Sequence, residues 1–429
     1  MLSNNLDYRN NNSKKLMNQI SPYTQEHRLL FFDNIRYLMI IFVIVLHAAA
    51  SYGINKWWYV YDAKAHTIIF AFMMSFIDTF AMPTLFFIAG YFALSNIEKK
   101  GAIVFLKDKF TRLGIPWLIC VIFVAPVMDY INHYTHGYVY SSLNYGQFWL
   151  QWLQRAADFQ TGFYTLVATQ FSQFAYWFIS LLLFFFIIFS LIYALKKRLF
   201  PSVSFFSAKT HSAKAMLLIM LSAGLLCTVA GVLVAVIPFP YPDPWVIVGN
   251  ILQFQLWRLF IYMIFFALGV WAYGRGWFVK VNFPGYPLFW ISICAVLCFG
   301  YVIITNHLMA NMTDKRLFLT FVFVRSFLRV IFLIVFTNFA LRYWNRPHWI
   351  NETLASNSYN IYLVHQPIVI VFQLLLVNLA DTSSFIKFGI VFVSTFFLSY
   401  SIGQYALKHY PRLSVAGLLL IFLLMVIFV

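Results

Sequence analysis

Charged residues are scarce in this chain: Asp, Glu, Lys and Arg make up only 10% of its 429 residues. About a quarter is usual in a soluble globular protein, so this composition excludes a soluble enzyme, a disordered tail protein and a fibrous protein. Hydrophobic residues reach 62% and aromatic residues 21%. Apolar runs of about 20 residues, the length that spans a bilayer as a helix, recur from end to end. The sequence predicts an all-α fold, a polytopic transmembrane helical bundle.

Cysteine is also scarce, and familiar catalytic motifs are missing. The chain has four Cys, each in an apolar stretch and none in the context of a zinc ligand. We find no Gly-x-Ser-x-Gly elbow, no HExxH, no glycine-rich phosphate loop and no pair of carboxylates placed for glycosidase chemistry. No metal site is predicted. The first 35 residues are polar, and no cleavable signal peptide is expected.

Acidic residues are few, 13 against 30 Lys and Arg, which gives a net charge of +17. Such a charge invites an interpretation as a nucleic-acid-binding protein, but its distribution argues for membrane topology. Twenty Lys and Arg fall in the N-terminal tail and alternate loops, and five on the opposite side. This asymmetry follows the positive-inside rule and predicts a cytoplasmic N-terminus. Anionic lipid accounts for the excess charge, so no nucleic acid partner is expected.

The apolar runs predict ten spans and a short eleventh. We divide the chain into a polar cytoplasmic tail (1–30), a membrane domain (31–408) and a C-terminal hydrophobic segment (409–429) that is a possible extra span. The long outer loop 132–173 is expected to hold an interfacial helix near 147–157. The predicted spans lie at 37–54, 67–95, 113–131, 174–195, 214–237, 254–273, 285–305, 317–341, 359–379, 384–407 and 413–429.

Ionisable side chains inside a span are costly and therefore mark functional candidates. In the first span Asp33 and Arg36 are three residues apart and can pair. His47 follows Arg36 by eleven residues, which on a helix returns to within about 20° of the same face and lies about 16 Å further along. The predicted span places His47 near the middle of the membrane. An imidazole there can accept or donate a proton near neutral pH.

Further spans carry polar candidates. Asp78 in the second span either orients His47 or pairs with another neighbour. Arg325 and Arg329, four residues apart in the eighth span, must be paired or solvated, and imply an anion or a wet cavity. Arg258 near the outer end of the sixth span is expected to reach the headgroups. Tyr362 and His365 lie inside the ninth span.

The inner loop after the second span concentrates cations. Lys109 and Arg112 would share a face if this segment is helical, and such a pair suits phosphates. The positive-inside rule explains the same charges without a ligand. The candidates for binding an anionic donor here are Lys99, Lys100, Lys107, Lys109 and Arg112.

Five segments, in order, carry a family resemblance over about residues 30–408. They are Asp33-x-x-Arg36 with His47, Phe87-Ile-Ala-Gly-Tyr-Phe92, Arg112-Leu-Gly-Ile-Pro116, Tyr176-Trp-Phe178 and Tyr362-Leu-Val-His365-Gln-Pro367. Together they resemble the acyltransferase-3 family of bacterial integral membrane acyltransferases. Within it the chain looks most like the glucans biosynthesis protein C branch, which is implied to succinylate periplasmic glucans.

The resemblance implies about ten spans in the bacterial inner membrane and transfer of an acyl group, acetyl or succinyl, from cytoplasmic acyl-CoA to a glycan hydroxyl outside. No bound cofactor is expected, since acyl-CoA is a co-substrate. His47 and Arg36 match the family's first-span His and Arg. Lys109-x-x-Arg112 matches its Arg-x-x-Arg loop, with Lys replacing the bidentate first Arg. Ala89 stands where the family usually has Ser.

These residues lead to a mechanistic hypothesis in which Asp33, Arg36 and His47 form the catalytic set. Acyl-CoA docks its phosphates on the inner cations, and His47 acts as general base or first takes the acyl group itself. Arg325 and Arg329 stabilise the tetrahedral oxyanion or hold an anionic acyl tail, while Asp78, Tyr362 and His365 support the site.

Three alternatives stay open. A multi-span transporter or flippase of an acylated or anionic substrate explains the buried charges equally well. A sensor or scaffold would use them only for packing. A third possibility keeps the chemistry but changes the acceptor to surface polysaccharide, lipid-linked sugar, peptidoglycan or a small metabolite.

Overall fold

The fold is that of a computed structural model, which describes ten ranges of the chain. The predicted tail 1–30 and the proline-rich segment 238–244 fall almost entirely outside these described residues. The ranges are 29–54, 58–137, 143–158, 161–164, 171–200, 212–236, 245–278, 283–311, 314–379 and 381–429.

The described part of the chain contains 11 helices that are long and apolar enough to cross a membrane, which confirms the all-α polytopic fold. A twelfth helix, α4, lies between the third and fourth of them. The helices are α1 (Leu30–Ala50), α2 (Ile68–Lys100), α3 (Ala102–His136), α4 (Tyr145–Ala157), α5 (Phe174–Leu199), α6 (Ala213–Val236), α7 (Leu256–Gly274), α8 (Pro287–Ala310), α9 (Lys315–Tyr343), α10 (Trp349–Leu376), α11 (Ser384–Leu407) and α12 (Pro411–Phe428).

Local sequence signals set several helix ends. Asn144 caps α4, its side chain accepting from the backbone N–H of Gln147 (2.9 Å), and Asp314 caps α9 by accepting from Arg316 N–H (2.8 Å). Gly101 separates α2 from α3 with φ of +77°, a conformation that glycine adopts without strain. The inner connection is therefore a single-residue turn, and α3 begins eleven residues earlier than the predicted span at 113.

Helix α1 lies inside the bundle, in contact with α2, α9, α10 and α11. The chain after α1 folds back, and Tyr52, Trp58, Tyr59, Val60 and Asp62 in it are all buried. The segment 58–66, part of which is buried in this way, is called the outer strap below. Here and below, 'outer' and 'inner' follow the orientation predicted from the positive-inside rule. Because the outer strap covers the C-terminal end of α1, it places side chains beside the last turn of that helix.

Helices α2 and α7 approach so closely that glycine is required on both. A Cβ atom on Gly90 would lie 2.1 Å from the backbone oxygen of Phe266, and one on Gly269 would lie 2.0 Å from the oxygen of Phe87. Small residues that allow such contact are typical of membrane helix pairs. Gly90 and Gly269 therefore allow the backbones of α2 and α7 to approach each other closely.

A small antiparallel sheet, absent from the sequence prediction, joins the long outer loop to the entry of α7. Its strands are β1 (Thr161–Tyr164), β2 (Trp245–Val248) and β3 (Leu252–Gln255), in the order β1-β2-β3. Thr161 pairs with Val248, and Trp245 pairs with Gln255. Strands this short show no recognisable hydrophobic pattern in the sequence. They form because they pair with partners that include segments far away along the chain.

Two further segments are helical: the expected interfacial helix of the outer loop and the C-terminal hydrophobic segment. Helix α4 covers the expected 147–157 and buries Tyr145, Phe148 and Trp152. Helix α12 has no buried residue, although Phe422 rests against Trp149 of α4 with ring centroids 4.8 Å apart. Helix α12 is long and apolar enough to span.

Candidate functional site

His47 lies in the last turn of α1, seventeen residues after Leu30 and three before Ala50. The predicted span, 37–54, had placed this residue at its middle. Because the helix begins at Leu30 and the chain turns back after Ala50, the structure moves His47 to the end of the helix that meets the outer strap. The helix therefore differs from the predicted span at both ends, while the depth of His47 in the membrane stays a prediction.

Two aromatic rings flank the imidazole of His47. Trp58 of the outer strap stacks on it, with ring centroids 5.2 Å apart and planes 22° apart. His365 of α10 lies on another side at 5.3 Å. The His47 side chain remains half-buried, and its Nδ1 is buried with no hydrogen-bond partner among the described residues. The ring is therefore held in place by packing while a nitrogen stays available.

His365 is fully buried, and its geometry fixes its tautomer. Its Nδ1 lies 2.6 Å from the carbonyl oxygen of Tyr362, and since a carbonyl only accepts, Nδ1 carries the proton and donates. Nε2 is then the basic nitrogen, and it has no hydrogen-bond partner in the described part of the chain. The structure thus brings together two imidazoles, predicted independently from separate spans, each with an unpartnered nitrogen.

Gln373 ties this histidine pair to the outer strap. Its Oε1 accepts from the indole N–H of Trp58 (2.7 Å), and its Nε2 donates to the carbonyl oxygen of His47 (2.9 Å). Sequence reasoning missed both Gln373 and Trp58. A lone amide inside the apolar run 369–377 was the available signal, since such a group must find a partner in the bundle.

A buried ion pair anchors the strap from its other side. Lys387 of α11, fully buried, donates to Asp62 (2.5 Å), whose side chain is 3% exposed. Ser51 also donates a hydrogen bond to the Val60 carbonyl. A pair this deeply buried is costly unless both charges are matched. The ion pair therefore holds the strap against α11, although its two residues are more than three hundred positions apart in the sequence. Local sequence patterns do not reveal a contact of this kind.

Tyr362 and Gln366 form a layer behind His365. The Tyr362 hydroxyl donates to the Ala175 carbonyl, and Gln366 accepts from Ala175 N–H (2.9 Å) while donating to the Tyr59 hydroxyl (3.3 Å). Burial, with the nearby Asp129 carboxylate, raises the pKa of Tyr59 well above 10, so its hydroxyl stays protonated. Tyr362 thus supports the backbone turn that holds His365.

Asp33 and Arg36 form the expected pair at the inner end of α1, with Asp33 Oδ1 2.8 Å from Arg36 Nη2. The Arg36 side chain is 36% exposed. The eleven-residue spacing puts Arg36 about 16 Å from His47 along the helix, so the structure places them at opposite ends of one face and not in contact.

The predicted inner cations gather near Arg36. Lys109 lies close enough to Arg36, Arg112 and Lys100 for their charges to repel one another, and its ammonium rests over the Phe186 ring at 4.5 Å. Lys100 also pairs with Asp108. Lys99, Lys107 and Arg112 are exposed. A concentration of cations, several of them exposed, suits a polyanion.

Asp78 lies apart from His47 and pairs with two arginines. Its Oδ1 is 2.7 Å from Arg258 Nη1, and its Oδ2 is 2.7 Å from Arg325 Nη2. Of the two possibilities raised for Asp78, pairing with a neighbour is the correct one. The expectation that Arg258 reaches the headgroups was wrong, because the Asp78 carboxylate draws it into the bundle. Arg329, one turn beyond Arg325, is 4% exposed.

A second outer cluster was also missed. Arg155 of α4 contacts Asp129 of α3 (Nη2 to Oδ2, 3.2 Å), and His133 lies 3.8 Å from the same carboxylate. Both Asp129 and His133 are buried, although His133 falls within the segment 132–173 that was predicted as an outer loop. No three His, Cys, Asp or Glu within the described ranges are placed to hold a metal ion.

Comparison with known families gives one match. A family model described as an acyltransferase domain, that of the acyltransferase-3 family, matches residues 29–404. No curated protein and no solved structure matches the chain.

Proposed function

This chain belongs to the acyltransferase-3 family, and from that premise we propose that it moves an acyl group from cytoplasmic acyl-CoA to a hydroxyl outside the membrane. A membrane acyltransferase needs a donor site at one face, a reaction centre within the bundle and an acceptor path from the other face. Three regions of this chain suit those parts: the inner cations, the histidine pair and the outer strap.

The donor is acyl-CoA, and its phosphates bind the inner cations. Lys109, Arg112 and Arg36 offer at least three positive charges in one region, and charge-assisted hydrogen bonds to phosphate are among the stronger polar contacts in proteins. Arg36 stands at the start of the α1 face that ends at His47. The pantetheine arm lies along that face, because about 16 Å of helix separates the two residues.

The reaction centre is His47, and the observation that carries the proposal is its half-buried imidazole, which has an unpartnered nitrogen and lies 5.3 Å from the ring of His365. Acting as general base, His47 takes the proton of the acceptor hydroxyl while the oxygen attacks the thioester carbonyl. The C–S bond then breaks, and the coenzyme A thiolate takes the proton from the imidazolium. In the variant route, His47 attacks the thioester carbonyl as nucleophile, and the coenzyme A thiolate leaves and takes the imidazole N–H proton. The acceptor hydroxyl then attacks the acyl-imidazole, and its proton returns to the imidazole as the acyl group is transferred.

The acceptor is a hydroxyl of a periplasmic or cell-surface glycan, and the acyl group is acetyl or succinyl. The succinyl case corresponds to the glucans biosynthesis protein C branch of the family. The outer aromatic side chain of Trp177, which is partly exposed, is of the kind that stacks on sugar rings. The bacterial inner membrane, with anionic lipid around the bundle, is the proposed location.

Purified protein in liposomes, supplied with radiolabelled acetyl-CoA or succinyl-CoA and a glycan extract from the cell envelope, tests this function. We expect label in glycan with the unchanged protein and with His307→Ala, which alters an exposed histidine at the outer end of α8. We expect none with His47→Ala. Label that crosses the membrane unchanged would instead identify a transporter, and equal labelling by His47→Ala would refute the assigned role.

The scaffold alternative, in which the buried polar residues serve only for packing, makes a different prediction. His47→Ala and Arg36→Ala would then lower the thermal stability of the purified protein, and no acyl transfer would be seen with any variant. Mass analysis of envelope glycans from cells with and without the gene identifies the natural acceptor and acyl group.

A further inference from the structure

The guanidinium of Arg329 is the most isolated charge in the described bundle. It sits at the middle of α9, fourteen residues after Lys315, and is 4% exposed. Its Nη1 is buried without a hydrogen-bond partner, and none of the ion pairs within the described residues includes it. A buried cation that is neither paired nor solvated is strongly unfavourable, so this position requires a partner that the polypeptide itself does not supply.

The carboxylate near this charge, that of Asp78, already forms ion pairs with other arginines. Both oxygens of Asp78 are occupied, by Arg258 and Arg325. Asp78 therefore pairs with two of the three arginines, and Arg329 has no acidic partner among the described residues. The Trp257 ring lies 5.4 Å from the Arg329 guanidinium and 5.7 Å from that of Arg325. Its π face attracts cations but does not neutralise them.

A second buried donor lies next to this charge. Ser326, three residues before Arg329 and so on the same side of α9, is fully buried, and its hydroxyl has no partner within the described ranges. Trp257 packs tightly against α6, because a Cβ atom on Gly231 would lie 2.8 Å from the Trp257 indole nitrogen. A guanidinium and a hydroxyl on one helix face, backed by a fixed ring, make a preformed set of donors.

We propose that Arg329, with Ser326 and the neighbouring Arg325, binds a small oxyanion, a carboxylate or phosphate group. The depth of the site favours a diffusible or substrate-borne anion over a lipid headgroup, since the middle of α9 lies about 21 Å from either end of the helix. Where the anion is the distal carboxylate of a succinyl group, the inference rests on the proposed acyl transfer. The binding itself does not.

Thermal unfolding of the purified, delipidated protein tests the site without any catalysis. Sodium succinate and sodium phosphate are titrated against sodium chloride at equal ionic strength, and we expect a saturable rise in Tm that chloride does not reproduce. Arg329→Met should abolish the rise and raise the Tm measured without succinate or phosphate, because the uncompensated charge is gone. Arg316→Met, an exposed arginine of the same helix, is the matched control and should respond like the unchanged protein.

Two further measurements identify the source of the anion and guard against a misfolded variant. Arg329→Lys keeps the charge and loses the bidentate fork, so it should give a weaker but measurable rise. Nanodiscs of phosphatidylglycerol should leave the succinate response as it is in phosphatidylcholine. An unmoved Tm with both anions, an equal response in Arg329→Met, or loss of the response in phosphatidylglycerol would each overturn the proposal. None of these results depends on acyl transfer, which the His47 assay measures separately.

Discussion

The imidazoles of His47 and His365 face each other with ring centroids 5.3 Å apart. Nδ1 of His47 and Nε2 of His365 both lack a hydrogen-bond partner within the described residues. Because the Tyr362 carbonyl holds the proton of His365 on Nδ1 (2.6 Å), the lone pair of Nε2 is free. Because it lies directly beside His47 and has an unpartnered basic nitrogen, His365 is the first residue to test after His47.

Replacing His365 by Ala should lower kcat for acyl transfer about a hundredfold, the scale of a proton-transfer or positioning contribution. The pH dependence of kcat should also change shape, since two facing imidazoles titrate as a pair. A role limited to packing would lower the amount of folded protein and leave the profile unchanged. His409→Ala, at an exposed position, is the control.

Replacing Arg112 by Ala should raise KM for acyl-CoA about ten- to a hundredfold, because a charge-assisted contact to phosphate contributes about 1.5–3 kcal/mol. kcat should change little, and the remaining binding should depend less steeply on salt. Arg198→Ala removes an exposed charge at the inner end of α5 and should leave KM unchanged. An equal effect from both variants would show that only the general charge of the inner surface matters.

Gln373→Leu should destabilise the protein by about 1–3 kcal/mol for each buried polar group left without a partner. The groups at risk are the Trp58 indole N–H and the backbone carbonyl oxygens of His47 and Ala48. We also expect a fall in acyl transfer, because Trp58 loses its anchor above His47. Gln404→Leu, which loses a contact of 3.4 Å to the exposed Lys408, provides the comparison in thermal unfolding.

Lys387→Met should destabilise the protein by about 3–5 kcal/mol, because it leaves the Asp62 carboxylate buried and unpaired. The double variant Asp62→Asn with Lys387→Met should recover much of that loss, since neither charge then remains. Denaturant or thermal unfolding of the two single variants and the double variant gives the coupling energy. Strictly additive effects would contradict the ion pair as the anchor of the outer strap.

Gly90→Ala should disrupt the α2–α7 contact, since the added Cβ would meet the backbone oxygen of Phe266 at 2.1 Å. Overpacking costs about 1–3 kcal/mol where atoms can shift, and backbone shifts less than a flexible side chain. Gly300→Ala, at a position with no atom within 4 Å of the new Cβ, should be neutral or stabilising by about 0.5–1 kcal/mol. Yield and Tm in detergent distinguish the two.

The sequence predicts a contact of the site when its two residues are close together along the chain, and not when they are far apart. The Asp33–Arg36 pair is a three-residue spacing on one helix, and the structure has it at 2.8 Å. The partner of Asp78 was undecided, because Arg258 and Arg325 lie far away along the chain and any of several helices would have supplied a charge. The roles assigned to His47, Arg36 and the inner cations remain predictions.

The sequence by itself determined the membrane bundle, the number of helices and several of the ionisable residues inside them, because hydrophobic length and the cost of burying charge are properties of single segments. Tertiary structure alone decided which residues meet. It placed Trp58 on His47, joined Asp62 to Lys387 and paired Asp78 with two arginines, leaving Arg329 without a partner in the described chain. Such contacts depend on how the helices pack, and helix packing depends on how well the surfaces of entire helices fit together.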